Sequence, residues 1–97
     1  MIYLVTKNSE LFEATEYKII GVDESLSLLY KESILQIDSE TTGRNAHICN
    51  LLSFQFGSIN KEWQIVIDCT TINIRLYKQI LEEKLLIGHN LRIKFQL

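Results

Sequence analysis

Short apolar runs, each too brief for a packed helix and each closed by a polar turn, are the feature that most constrains how this chain can fold. Residues 2–5, 17–20, 33–37, 51–56, 63–67 and 85–88 all have strand length and strand-forming composition. Trp63, Ile65 and Ile67 alternate with polar or smaller neighbours, as in a half-buried strand. The run before it is separated only by the turn at 57–62, so the two read as an antiparallel hairpin. Helical spacing fills the remaining gaps. Asp23 is a candidate N-cap with Glu24 in the first turn, and Leu26, Leu29 and Tyr30 follow on one face as far as about Lys31. A second helix is expected to start within 70–73, with Ile72, Leu76 and Ile80 inward and Tyr77 and Leu81 beside them. Residues 91–97 are expected to begin another helix.

From Ser33 onward the order is strand, strand, strand, helix, strand, helix. A strand reached through a helical crossover lies parallel to its sheet neighbour, so the expected class is α/β with a mixed sheet. Ligands of such sheets bind beyond the carboxyl ends of the strands. Residues 38–41 and 88–90 fall at such ends. Asp38 and Glu40 stand two residues apart, so strand geometry turns both side chains to one side. Like charges held together disfavour each other, and a divalent cation relieves that cost. Mg²⁺ or Mn²⁺ suits hard oxygen donors and keeps waters for phosphate chemistry. A solvated acid pair at a strand end is the other reading of the same spacing.

Composition narrows the partners. At 97 residues and 46% hydrophobic content the chain suits one domain. Ten basic against twelve acidic residues leave a net charge of −2, so nucleic-acid binding would need a local basic patch. No apolar run reaches membrane-spanning length, and the N-terminus lacks a basic leader with a long apolar core. Cys49 and Cys69 form no CxxC and read as small buried hydrophobes of a reduced, cytoplasmic protein.

The segment Ile37-Asp38-Ser39-Glu40-Thr41-Thr42-Gly43, then the hairpin, a helix and Leu86-Ile87-Gly88-His89-Asn90, resembles the first two motifs of the DnaQ-like (DEDD) 3′–5′ exonuclease superfamily. The nearest flavour is the proofreading domain of bacterial and phage DNA polymerase I. The resemblance covers about residues 34–97. It implies a ribonuclease H-like fold, incomplete at its C-terminus. The single partial domain, 1–97, would comprise a strand–strand–helix extension over 1–32 and the core over 33–97. It also implies removal of 3′-terminal nucleotides from single-stranded DNA by two metals, Mg²⁺ or Mn²⁺, about 4 Å apart. Asp38 would bridge both metals and Glu40 would hold the one that activates water. Thr41 would touch the terminal nucleotide, and Asn90 would lie beside the strand. Arg44 replaces a frequent apolar wedge and could stack on a base or meet a phosphate.

The pattern then breaks. The family's third acid lies four residues after the Asn, where this chain has Lys94, and no Asp or Glu occurs over 91–97. The fourth acid has no counterpart. An inactive or impaired nuclease is therefore expected, the alternative being a degenerate nuclease-fold module that binds nucleic acid or self-associates without catalysis. Apolar Ile93, Phe95 and Leu97 at the end of the sequence leave three readings: a fragment, a natural truncation, or a chain that completes its sheet as a homodimer.

Overall fold

A computed structural model describes residues 1–8, 17–41, 51–60 and 62–88, with Thr41 and Leu51 described in their backbone only. Strands β1 (Ile2–Val5) and β2 (Tyr17–Ile19) lead into helix α1 (Val22–Tyr30). Strands β3 (Ile34–Thr41), β4 (Leu51–Ser58) and β5 (Gln64–Asp68) follow. A 3₁₀ turn (Ile74–Tyr77) then runs into helix α2 (Lys78–Glu83), and β6 (Leu85–Gly88) closes the order. Among the described residues the strands form one six-stranded sheet in the order β2-β1-β5-β4-β3-β6. β3 pairs antiparallel with β4, and β4 antiparallel with β5, which is the expected hairpin. β6 returns parallel to β3 through the helical crossover, as the sequence order implies. β1 joins β5 in parallel, so the N-terminal strands extend the same sheet.

The core lies on one face of that sheet. Leu35 of β3, Phe54 and Phe56 of β4, and Ile65 and Ile67 of β5 are fully buried against Leu29, Tyr77 and Ile80 from the helical layer. Alternation along each strand sends the intervening residues to the other face. Phe54 and Phe56 pack along β4 with ring centroids 4.9 Å apart, and Phe56 bridges to Tyr77 of the helical layer at 5.7 Å. Such pairs add to the area they bury.

Helix α1 begins two residues earlier than expected. Gly21, not Asp23, is the N-cap, and no side chain caps it. Asp23 and Glu24 occupy the first turn, where the helix dipole favours carboxylates. The second helical segment corrects another expectation. It opens as a 3₁₀ turn capped by Asn73, whose side-chain oxygen accepts from Arg75 N at 3.0 Å. Three residues per turn align Ile74 with Tyr77, so Tyr77 is buried and Leu76 is 55% exposed. β3 also runs further than its apolar stretch, carrying the strand pattern through Asp38 and Glu40. The helix expected over 91–97 lies outside the described residues, as does Cys49. Cys69 is half-buried and free. No helix among the described residues is long and apolar enough to cross a membrane.

Candidate functional site

Among the described residues five strands run one way and β4 opposes them. The carboxyl ends of β3, β5 and β6 therefore share one edge of the sheet. Asp38 and Glu40 project near that edge from β3, on the face opposite the buried Leu35. Both are exposed. Asp38 Oδ1 accepts a hydrogen bond from Ser39 N at 2.8 Å, which fixes one carboxylate oxygen. Gly88 pairs with Ile37, so β6 ends beside the residue preceding Asp38. The register shifts between Glu40 and Thr41, leaving Leu52 of β4 as the unmatched residue of a bulge. Bulges bend the strand locally and commonly re-aim side chains near functional sites.

The structure thus brings Asp38 and Glu40 onto one face and leads β6 toward them. Thr41 ends β3, with its side chain not described. Arg44, His89, Asn90 and Lys94 lie outside the described residues. The donor set suits a hard divalent cation in kind, with two exposed carboxylates from one strand face. Among the described residues no cluster of three or more His, Cys, Asp or Glu side chains could hold a metal ion.

Sequence reasoning passed over a third acid at this edge. Asp68 ends β5 and pairs with Ser53, which pairs in turn with Glu40. Two strand spacings, roughly 9–10 Å, separate the backbones of Asp68 and Glu40, and Asp68 joins no group of three potential ligands among the described residues. Its partners give it a structural role. Thr6 Oγ1 donates to Asp68 Oδ2 at 2.7 Å and Thr71 Oγ1 at 3.2 Å. Thr70 N donates to Oδ1 at 3.1 Å, and the Thr70 hydroxyl donates to the same oxygen. Burial pushes the Asp68 carboxyl up, but these hydrogen bonds outweigh it and hold the group below its ordinary value. Asp68 thereby ties the exit of β1 to the turn after β5. The signal was readable: an Asp followed within three residues by two threonines is turn chemistry, not a helix start.

No family model matches the sequence, and no curated protein matches it. Solved structures do. The catalytic core of RRP6 from Trypanosoma brucei and a single-site mutant of that core each align with a TM-score of 0.62 at 12% identity. Each alignment covers 91% of this chain but only 21% and 22% of theirs, so the chain spans about a fifth of their length. At that identity the likeness establishes architecture: the chain has an α/β, ribonuclease H-like fold.

Proposed function

We propose that this chain is the front part of a 3′–5′ exonuclease-like module that engages the 3′ end of single-stranded nucleic acid. The observation that carries the reading is the parallel return of β6 to β3. It brings Gly88 beside Ile37 at the strand ends where Asp38 and Glu40 stand on one face. Similarity to the RRP6 catalytic core supports a nuclease-fold module. The closer kinship to polymerase I proofreading domains, the preference for DNA over RNA, and a cytoplasmic location rest on the motif resemblance and composition alone. So does the division into an extension over 1–32 and a core over 33–97.

Asp38 and Glu40 are the residues that would hold Mg²⁺ or Mn²⁺, which when bound would polarise a phosphodiester and supply a nucleophilic water. Ser39 N holds one Asp38 oxygen and so orients the carboxylate. Thr41, Arg44 and Asn90 would contact the nucleotide. Lys94 replaces a carboxylate by an ammonium, which offers no metal ligand, so hydrolysis is impaired while metal-dependent binding persists. Self-association is the runner-up reading. Ile2, Leu85 and Ile87 are exposed on the acid-bearing face, the last two at 62% and 48%.

The test uses a 5′-labelled single-stranded oligonucleotide, DNA and RNA in parallel, at low salt. Binding is expected to rise with Mn²⁺, to fall with chelator, and to be lost in Asp38→Ala. Shortening of the 3′ end is expected to be slow or absent. Binding indifferent to both metal and Asp38→Ala would refute the proposal.

A further inference from the structure

The acid-bearing face also carries a cavity of about 400 Å³, which Asp38 borders and to which three carboxamides add a second kind of chemistry. Three strands each contribute one carboxamide to it: Gln36 from β3, Gln55 from β4 and Gln64 from β5. The register explains the grouping. Gln36 and Gln64 both pair with Gly57, which carries no side chain and leaves the space between them open. Gln55 pairs with Asp38, so the carboxamide group adjoins the acid pair directly. Ile2 pairs with Gln64 and supplies apolar lining on this face, while Trp63 borders the cavity and also packs against the core.

The carboxamides are already partly ordered. Gln64 Nε2 donates to Gln55 Oε1 at 2.7 Å. That bond uses one hydrogen of Gln64 and one lone pair of Gln55. It leaves the Gln55 amide and the Gln64 carbonyl oxygen able to serve as a neighbouring donor and acceptor. Side-chain carboxamides in this role recognise the paired donor and acceptor atoms on a nucleobase edge. The volume falls in the range of small-molecule sites, and the mix of apolar lining with few polar groups is typical of them. Among the described residues no lysine or arginine lines the cavity and Asp38 does, while the Met1 ammonium is turned to Glu62 O, so a free phosphate is a poor match.

We propose that this cavity, lined by Gln36, Gln55 and Gln64 with Ile2 beside them and bordered by Trp63, takes a neutral nucleobase in the same strand whose phosphate meets Asp38 and Glu40. The assignment rests on the nucleic-acid reading of the acid pair, but its chemistry is separate. Base recognition by carboxamides needs no metal and responds weakly to salt, whereas phosphate binding at the acid pair needs the cation.

Trp63 is the single tryptophan of the chain, so its fluorescence reports on the cavity. Adenosine, guanosine, cytidine and uridine, which carry no phosphate, are titrated in chelator. At least one is expected to change the emission saturably. Gln55→Leu and Gln64→Leu are each expected to weaken that binding about tenfold while the circular dichroism is retained. Gln36→Leu provides a third variant should either fail to fold. No saturable change with any nucleoside at millimolar concentration, or equal binding in the folded variants, would overturn the proposal. Metal-dependent oligonucleotide binding without any nucleoside response overturns the cavity assignment alone. A nucleoside response without oligonucleotide binding supports the cavity and overturns the nuclease reading.

Discussion

Removing the Ser25 hydroxyl is expected to cost more than removing its partner on Tyr77, although the two share one hydrogen bond. The oxygens lie 2.6 Å apart and both residues are fully buried. Each hydroxyl has one hydrogen. Ser25 Oγ donates its hydrogen to Val22 O at 2.6 Å, so Tyr77 must be the donor to Ser25. The chain of bonds runs from the phenol through the serine to the first turn of α1, and it locks that helix to the residue before α2. Burial pushes the Tyr77 phenol above its ordinary pKa despite the Ser25 bond, so the phenol stays protonated and able to donate at neutral pH.

Tyr77→Phe leaves Ser25 bonded to Val22, so its cost is that of one net hydrogen bond, about 0.5–1.5 kcal/mol. Ser25→Ala strands a buried phenol without an acceptor, which costs about 1–3 kcal/mol. For a domain of this size that corresponds to a fall in Tm of roughly 4–8 °C per kcal/mol. In the double variant no polar group is stranded, so its cost should not exceed that of Ser25→Ala alone. Urea denaturation of the three variants, read by far-UV circular dichroism, measures the cycle. Tyr77→Phe costing as much as Ser25→Ala, or strict additivity within about 0.5 kcal/mol, would refute the directional chain.

Asp68 makes a pH prediction. Its folded pKa lies below the unfolded value, so its contribution is present above about pH 4 and is lost as pH falls through the folded value. Asp68→Asn is expected to lower stability at neutral pH and to flatten its decline between pH 4 and 2, measured as urea midpoints. Equal acid sensitivity in both proteins would contradict the assignment. Cys69 is pushed up to about 11 by burial and secondarily by the charge of Asp68. In a Cys49→Ser background, alkylation of the folded protein at pH 7.5 is expected to run roughly tenfold to a hundredfold slower than in urea, since only the thiolate reacts. Equal rates would mean that the thiol is not shielded.

The strand framework was legible because its signal is local. β1 and β6 match their apolar runs residue for residue, and the parallel return of β6 followed from a helix lying between two strands of one sheet. What was misread depended on partners distant in sequence. β3 was expected to stop at Ile37 because hydrophobicity stops there. Its ladder continues because β4 supplies partners for Asp38, Ser39 and Glu40. Leu76 was expected inside because an α-helical period was assumed, whereas the chain enters α2 through a 3₁₀ turn that puts Tyr77 there. That Asp38 and Glu40 share one side was legible from their two-residue spacing, and the β3 ladder runs through both. The carboxamide cavity was not, because Gln36, Gln55 and Gln64 come together only through strand register.

That register also separates what stabilises the chain from what would act. Along β3, Leu35 and Ile37 face the packed helices while Gln36, Asp38 and Glu40 face away. Leu35 is fully buried, and Leu35→Ala removes apolar contacts and leaves a cavity, at a cost of about 2–5 kcal/mol. Asp38 and Glu40 are exposed, so Asp38→Ala and Glu40→Ala should each stay within about 0.5 kcal/mol of the parent. The sheet can therefore keep its architecture while its chemistry changes. Chemical denaturation of the three variants separates the two roles. A loss above about 1 kcal/mol in either acid variant would make the pair part of the folding framework, and the division between the two faces would fall.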